Sequence, residues 1–235
     1  TAAGDDTVTV PMRDLTVAAE IAMGDGADTL VLTGNGLNPT QFALSGVETL
    51  DLTDVAGTAL FSMTKFTGDA PGTIVLGEAD AATPNPFAAT TVTFSGDSGA
   101  KNFDIVGDAS GTIVTDTSGA VDIDVVADSK ATAAADDDSA AVFTLSKASS
   151  VDLNVSGLIE QSGAITANKA TSAVADLSGA KIAQTLKLAT ASAETVTVNV
   201  GSKGASINAA SNFSKATTVN IDTAGSTTLA EVLPA

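Results

Sequence analysis

Gly24-Asp25-Gly26-Ala27-Asp28-Thr29-Leu30 is the stretch that decides the fold of this 235-residue chain, and Gly4-Asp5-Asp6-Thr7-Val8 is an earlier copy of it. In each copy, glycines and aspartates form a turn that leads into a strand in which Thr alternates with aliphatic residues. Asp6 and Asp28 stand 22 positions apart, about the length of one coil of a β-solenoid. We therefore expect the two acidic turns to stack, one above the other.

Period-two alternation of apolar residues continues along the chain and predicts an all-β protein. The alternating groups are Val8/Val10, Leu30/Leu32, Leu50/Leu52, Ile74/Leu76, Val92/Phe94, Phe103/Ile105, Val121/Ile123/Val125, Phe143/Leu145, Val151/Leu153/Val155, Leu186/Leu188, Val196/Val198/Val200 and Val219/Ile221. From Val92 onward the apolar centres recur roughly every ten residues, as expected for evenly spaced short strands.

Evenly spaced strands suit a sandwich, a barrel or a solenoid. The ~15 candidate strands exceed what one sandwich normally uses, and the small aliphatic residues of a chain with 3% aromatics suit a narrow, layered interior. The chain is therefore predicted to form a parallel β-solenoid (β-helix or β-roll) of about ten coils, with a β-sandwich as the alternative. A two-faced coil needs about 21 residues and a three-faced coil about 31, and the sequence leaves both open.

The rhythm is interrupted before residue 91. Pro84-Asn85-Pro86 cannot continue a central strand, because proline lacks the backbone N–H of the ladder. Residues 71–90 are therefore predicted to form a protruding loop. Residues 1–70 then hold the first, acidic coils, and residues 91–235 continue the solenoid.

Two later stretches are ambiguous. Residues 128–139 are rich in Ala and contain Asp136, Asp137 and Asp138, which form either a further cation site or a solvated charge run in a loop or short helix. Residues 181–194 have some helical character, but the alternation around Leu186 favours a strand.

The charge balance excludes several partners. With ten basic and 28 acidic residues, the net charge is −18, so the chain lacks the basic footprint that nucleic acids and anionic membranes require. No apolar run approaches the ~20 residues of a membrane-spanning helix. Divalent cations are the counter-ions expected to relieve the self-repulsion of such a chain.

The composition also argues against an enzyme. The sequence has no His, Cys or Tyr, so serine-type triads, cysteine nucleophiles and histidine metal sites have no residues to use. Arg13 is the sole arginine near the acidic turns, where we expect it to form a salt bridge. Paired carboxylates are able to hydrolyse glycosides, but among 28 acidic residues some pair will always qualify.

The acidic turns resemble the repeats-in-toxin nonapeptide G-G-x-G-x-D-x-U-x, which binds calcium between stacked turns of a parallel β-helix. The later copy matches four of the five specified positions with Gly24, Gly26, Asp28 and Leu30, and the earlier copy matches with Gly4, Asp6 and Val8. The resemblance implies a calcium site built from Asp5, Asp6, Gly24, Asp25, Gly26 and Asp28. Its glycines permit the tight turn, and its aspartates and loop carbonyls supply an oxygen shell of six to eight ligands.

A third turn of similar shape carries a lysine. In Ser95-Gly96-Asp97-Ser98-Gly99-Ala100-Lys101, the lysine stands where the aspartate belongs. One hypothesis is that the Lys101 ammonium replaces the metal and pairs with Asp97 or Asp108. The competing interpretation is a solvated lysine.

The run from Gly4 to Gly57, which includes Phe42-Ala43-Leu44-Ser45-Gly46-Val47-Glu48-Thr49-Leu50, is similar to bacterial surface-layer (S-layer) proteins exported by type I secretion. This resemblance implies a calcium-dependent right-handed β-helix, secreted to the cell surface. Its expected partners are further copies of itself in a lattice or filament, and cell-surface polysaccharide. The alternatives are a module of a large adhesin or biofilm matrix protein, and the rod of a polysaccharide-acting enzyme.

Overall fold

A computed structural model describes residues 3–15, 20–35, 43–56, 59–62, 71–77, 91–95, 101–127, 137–208 and 211–229. In these ranges the chain forms one 3-10 helix, Met12–Asp14, and a series of short strands. The strands are β1 (Thr7–Pro11), β2 (Glu20–Ala22), β3 (Thr29–Asn35), β4 (Ala43–Ser45), β5 (Thr49–Ala56), β6 (Ala59–Ser62), β7 (Thr73–Gly77), β8 (Thr91–Ser95), β9 (Lys101–Val106), β10 (Thr112–Thr115), β11 (Ala120–Val126), β12 (Asp137–Ser139), β13 (Val142–Leu145), β14 (Ser150–Gly157), β15 (Ile159–Gln161), β16 (Ile165–Thr166), β17 (Ser172–Ala180), β18 (Gln184–Leu186), β19 (Leu188–Ala189), β20 (Thr195–Val200), β21 (Ala205–Ile207), β22 (Thr218–Thr223) and β23 (Thr227–Leu229).

The main sheet stacks ten strands in the order β1-β3-β5-β7-β9-β11-β14-β17-β20-β22. A second sheet has the order β19-β16-β13-β10-β8-β6, and shorter sheets join β2 to β4, β12 to β15, and β18 to β21 and β23. Every strand pair among the described residues is parallel. The chain therefore leaves the main sheet after each strand and returns one layer further along, which makes it a β-solenoid and rules out the antiparallel sandwich.

The turns differ in length, and the later ones use three faces. Stacked positions are 20 residues apart between Asp28 and Glu48, 30 apart between Asp124 and Asn154, and 23 apart between Glu194 and Thr217. The turn that begins at β14 and returns to the main sheet at β17 holds β14, β15 and β16 in 22 residues. It is this short because its second and third faces use strands of only three and two residues. The ten strands of the main sheet are separated by nine turns of the chain, a count that differs only slightly from the ten coils predicted.

One inward column shows how the core is built. Val8 pairs with Leu30, and successive pairings carry the column through Leu50, Ile74, Phe103, Ile123, Leu153, Ala175 and Val198 to Ile221. Its members between Leu30 and Val198 are at most 1% exposed. Each large aliphatic or aromatic side chain buried in this way contributes about 1.5–3 kcal/mol. The period-two alternation of the sequence thus places one row of each strand inside the coil.

The predicted interruptions are partly strands. Thr73–Gly77 is β7, a member of the main sheet between β5 and β9, so the solenoid continues through this part of the predicted 71–90 loop. Residues 78–90, including the prolines, lie outside the described residues. The strand prediction within residues 181–194 is confirmed by β18 and β19.

The predicted loop or short helix at 128–139 ends in a strand. Asp137–Ser139 forms β12, which pairs in parallel with β15. Residues 128–136 lie outside the described part of the chain. Among the described residues, no helix has both the length and the apolar character needed to cross a membrane.

Candidate functional site

The acidic turns stack as the sequence predicts. Gly4 N–H donates to the Asp25 carbonyl at 2.9 Å, and Thr29 N–H donates to the Asp6 carbonyl at 2.9 Å. Thr49 N–H then donates to the Asp28 carbonyl at 3.0 Å and adds a third turn. We call residues 4–6, 24–28 and 46–48 together the acidic corner.

Within the acidic corner, each turn supplies a carboxylate to a backbone amide of its neighbour. Asp6 N–H donates to Asp28 Oδ1 at 2.8 Å, and Asp28 N–H donates to Glu48 Oε2 at 2.8 Å. In the opposite direction, Ala27 N–H donates to Asp5 Oδ1 at 2.9 Å. Hydrogen bonds to an ionised acceptor are stronger than neutral ones, so these carboxylates hold the corner together through protein groups alone.

Asp28 is the central residue of the corner. Its side chain is fully buried (0% exposed), and Oδ2 is buried without a hydrogen-bond partner. An unsatisfied buried carboxylate oxygen costs free energy unless a donor or a cation meets it. Asp28 Oδ2 is therefore a buried oxygen of the corner that is available to bind something further.

Two glycines allow the turns to approach this closely. A Cβ at Gly26 would lie 2.3 Å from the Gly4 carbonyl oxygen, and a Cβ at Gly46 would lie 2.3 Å from the Gly24 carbonyl oxygen. Gly46 also has φ +60°, a backbone conformation that favours glycine. Because the obstructing atoms are backbone, a larger residue at either position forces the turns apart.

Sequence reasoning missed Glu48 as a member of the corner. Glu48 precedes Thr49 just as Asp6 precedes Thr7 and Asp28 precedes Thr29, and the three threonines pair in register. The available signal was the recurring pattern of an acidic residue, then Thr, then an aliphatic residue. It is hidden because the nonapeptide motif specifies aspartate and because the second step is 20 residues rather than 22.

The predicted site residues are brought together, though as a sparse ligand set. Asp5, Asp6 and Asp28 meet across the first two turns, while Asp25 is exposed and contributes its backbone carbonyl. The backbone of Gly24 lies directly against Gly46 of the third turn. Within the described ranges, no group of three or more acidic, His or Cys side chains converges as a metal site. The donors present fit a calcium ion that takes one or two carboxylate oxygens and completes its shell with carbonyls and water.

Lys101 occupies the same column three turns from Asp28. Lys101 precedes Asn102, and Asn102 pairs with Thr73, which pairs in turn with Thr49. Glu48 precedes Thr49 in the same way. Lys101 is 5% exposed, and its Nζ donates to the Pro71 carbonyl at 2.6 Å. The interpretation as a solvated lysine is therefore wrong. The proposed partner Asp97 lies outside the described residues.

Arg13 forms the expected salt bridge, but with its chain neighbour. Arg13 Nε lies 3.6 Å from Asp14 Oδ1, and the two side chains are 78% and 60% exposed. Exposed pairs of this kind contribute about 0–1 kcal/mol, so Arg13 adds little to the acidic corner.

The outer face of the main sheet carries a second acidic feature. Asp104, Asp124, Asn154 and Asp176 pair in register from strand to strand. Desolvation by burial and the neighbouring charge of Asp124 raise the pKa of Asp104 above its usual range, and a hydrogen bond from Asn102 Nδ2 opposes this shift. The asparagines relieve part of the repulsion, since Asn154 Nδ2 donates to Asp124 Oδ1 at 3.0 Å.

Asp152 lies on the same face. Desolvation raises its pKa, and the charges of Asp122, Asp124 and Asp176 raise it further. Of the Asp136–Asp138 run, Asp136 lies outside the described residues, and Asp137 and Asp138 belong to β12. A cation site at this run stays a prediction.

The fold and the acidic corner together define the class of this protein: a parallel β-solenoid with stacked acidic turns at one end of its main sheet. No protein-family model, curated protein or solved structure matches the chain.

Proposed function

We propose that this protein is a structural, non-catalytic component of a bacterial S-layer, secreted by type I secretion, whose β-solenoid is stabilised by calcium at the acidic corner. One observation carries the calcium proposal. Asp28 Oδ2 is a buried carboxylate oxygen without a partner, in a corner where Asp5, Asp6 and Glu48 add further negative charge.

Calcium would supply positive charge to that corner. Asp28 would hold the ion through Oδ2, while its Oδ1 continues to accept the Asp6 N–H. The exposed carboxylates of Asp5, Asp6 and Asp25 would face the ion, and Gly26 and Gly46 keep the turns close enough for backbone carbonyls to contribute. The protein groups thus position the oxygen ligands, and the ion removes the repulsion between them.

A structural role agrees with the rest of the molecule. The net charge of −18 favours cations as partners, and a stack of parallel strands gives a stiff unit suited to repeated side-by-side or end-to-end contacts. We propose further copies of this chain as the main partner, with cell-surface polysaccharide as a second, and the outside of the cell as the place where calcium is plentiful.

The calcium proposal is tested by calorimetric titration and thermal melting with calcium and with EDTA. We expect a Kd on the order of 10⁻⁴ to 10⁻³ M, as for other extracellular calcium modules. Calcium at one hundred times Kd then adds about 2.7 kcal/mol to the free energy of unfolding. This raises Tm by roughly 5–10 °C.

Matched variants locate the ion. Asp28→Asn keeps an oxygen for the Asp6 N–H but removes the charge, so we expect it to abolish the calcium-dependent rise in Tm. Asp222→Asn, at an exposed position of β22, removes the same charge and should leave that rise intact. An equal calcium response in the wild type and both variants contradicts the assignment to Asp28.

The S-layer proposal is tested separately by electron microscopy. Calcium-dependent growth of two-dimensional sheets supports it. Binding of dispersed protein to cells or glycans, without sheets, supports the adhesin alternative. Turnover of uronic-acid polymers that is lost in Arg13→Ala supports the enzyme alternative.

A further inference from the structure

Lysines form a row along one edge of the later turns. We call this set the lysine row; it takes one residue from each of the turns that lead into β14, β17, β20 and β22, namely Lys147, Lys169, Ser192 and Lys215. The residues on both sides of these turns pair at the same offsets from layer to layer, 22, then 23, then 23 residues. The four positions therefore stack, and the three lysines are exposed.

The same backbone turn presents the later members of the row. In the turns that carry Lys169, Ser192 and Lys215, an alanine N–H donates to the carbonyl three residues earlier, at 2.9–3.0 Å. Neighbouring layers of a parallel sheet are about 4.8 Å apart. The ammonium groups therefore leave the coil on one side, at intervals of one layer and then two.

This edge is positive in a chain whose net charge is −18. The four turns carry three lysines and one acidic residue, Glu194. Lys147 Nζ lies 3.1 Å from Asp116 Oδ2, in a pair whose side chains are 56% and 31% exposed, and such exposed pairs are weak. Among the described residues, Lys169 and Lys215 form no salt bridge.

The outer face of the main sheet carries carboxylates in a complementary order. We call four residues of this face the acidic row; they pair in register from β9 to β17 and are Asp104, Asp124, Asn154 and Asp176. Along the coil, the acidic row reads charged, charged, neutral, charged. The lysine row, read in the same direction, has the same order with the opposite sign.

We infer that the lysine row of one copy docks on the acidic row of a second copy, with the two coils parallel and shifted by two layers. The inference rests on the proposed structural function, for which it names a lateral contact. Two layers correspond to about 10 Å along the coil. The four pairs that this shift brings together are Lys147 with Asp104, Lys169 with Asp124, Ser192 with Asn154, and Lys215 with Asp176.

The carboxylates of the acidic row are available for this contact. All three are partly exposed. Within the described residues, the hydrogen bonds that they accept use only Oδ1, which leaves Oδ2 for an ammonium group. Burial and the neighbouring charge of Asp124 raise the pKa of Asp104, so a lysine from a second copy would relieve repulsion that a single copy retains.

The neutral positions favour parallel coils over antiparallel ones. In the parallel arrangement Ser192 meets Asn154, and both side chains are polar. With one coil reversed, the matching stretch of the face reads Asp124, Asp104, Val75 and Asp51. The charges match again, but Ser192 then meets the apolar Val75.

The contact repeats from copy to copy. Both rows run along the flank of the coil, and a copy that uses one row keeps the other row for a further neighbour. Because the two joined surfaces differ, the contact is heterologous, and the shift along the coil keeps it from closing into a ring. The acidic corner takes no part, so calcium and the second copy do not compete for the same carboxylates.

Charge reversal at one pair tests the contact. Lys169→Glu and Asp124→Lys each set like charges opposite one another, so we expect each to weaken association by about tenfold or more. The double variant restores opposite charges in exchanged positions and should associate like the wild type. Misfolding of a single variant would not produce that rescue.

Sedimentation velocity over a range of protein concentrations, in calcium, measures the association. We expect the wild type to form growing oligomers that weaken as NaCl is raised from about 0.05 M to about 0.5 M, because salt screens exposed charges. Lys203→Glu is the matched control, because it makes the same charge change at an exposed lysine outside the row. It should associate like the wild type.

The direction of the coils has its own pair of variants. Asp176→Asn removes a partner of the parallel arrangement and should weaken association. Asp51→Asn removes a partner of the antiparallel arrangement only and should have no effect. The opposite result for these two variants would overturn the parallel arrangement.

Three results would overturn the inference as a whole. They are a wild type that stays monomeric at all concentrations, single charge-reversed variants that associate like the wild type, and a double variant that stays as weak as the single ones. Circular dichroism melts show whether each variant is folded. If Asp124→Lys does not fold, Lys169→Glu and Asp176→Asn carry the test against Lys203→Glu and Asp51→Asn.

Electron microscopy of the same variants separates this contact from the S-layer proposal. Two-dimensional sheets that grow equally well from the wild type and Lys169→Glu would sink the contact and leave the S-layer proposal standing. Salt-sensitive oligomers that Lys169→Glu weakens, without any sheets, would do the reverse.

Discussion

The same column of the main sheet is acidic in the first turns and apolar in the later ones. It holds Asp6, Asp28 and Glu48 where the chain begins to coil, then the buried Lys101. From there it continues through Val121, Val151, Ala173 and Val196, all of which are at most 2% exposed.

The features that form the coil are different from the residues that form the site. The strands pair in parallel in both regions, so the coil forms with either kind of residue in this column. In the later turns the column contributes buried apolar surface. In the first turns it contributes carboxylates that bind backbone amides, and one oxygen of Asp28 is left over.

The largest loss of stability is expected when an acidic residue is placed in the apolar part of the column. In Val151→Asp the new carboxylate enters a column with apolar Val121 and Ala173 above and below. A buried charge without a partner costs about 3–5 kcal/mol. Denaturant unfolding measures this loss, with Val151→Ala as the control for lost packing. Equal losses for the two variants would show that the column accepts acid anywhere.

The next largest loss of stability is expected from substituting a glycine of the acidic corner. Gly26→Ala places a methyl group against the Gly4 carbonyl, whereas Gly4→Ala, at a similar φ, meets nothing within 4 Å. Since both glycines share the backbone cost, we expect Gly26→Ala to lower the free energy of unfolding by about 2 kcal/mol more than Gly4→Ala. The same cost for both substitutions contradicts the close stacking of the two turns.

A smaller effect is expected from truncating the central carboxylate without calcium. Asp28→Ala leaves the Asp6 N–H without its acceptor, and a lost acceptor costs about 1–3 kcal/mol. Asp28→Asn retains an oxygen, so it should lower the free energy of unfolding by less. Melting both variants in EDTA separates the hydrogen bond from any contribution of the metal.

The smallest effect concerns the acidic outer face and depends on pH. Because the pKa of folded Asp152 is raised above its ordinary value of 3.8, mainly by desolvation, the folded state binds this proton more tightly than the unfolded state. Asp152 therefore costs stability at neutral pH, and that cost fades as the pH falls through the raised pKa.

We expect Asp152→Asn to stabilise the protein at pH 7 by less than about 1 kcal/mol, because solvent screens the face. This gain should disappear below pH 3.8. Melting curves from pH 3 to pH 7 check it. A gain independent of pH would assign the effect to something other than charge.

The sequence predicted the coil well because the relevant signals are local. Alternation at Leu30/Leu32 or Val121/Ile123/Val125 marks strands directly, and the spacing of Asp6 and Asp28 predicted their stacking. The three-faced turn was not predictable, since β15 and β16 are too short to show alternation.

The chemistry of the corner was only partly predictable. Glu48 and the contact from Lys101 to Pro71 both depend on which turns become neighbours, and the Lys101 contact spans 30 residues of sequence. Motif reasoning placed the Asp28 carboxylate in the site. It did not show that Oδ1 would bind the Asp6 amide while Oδ2 remained without a partner. The right hand of the coil stays a prediction.

Amide hydrogen exchange with calcium and with EDTA compares the acidic corner with the later turns in one molecule. We expect calcium to slow exchange at the amides of Asp6, Ala27 and Asp28, whose acceptors are the corner carboxylates. Exchange in β14, β17 and β20 should stay unchanged. If calcium leaves exchange at the acidic corner unaltered, or slows exchange equally in both regions, the result would contradict a calcium site at this corner.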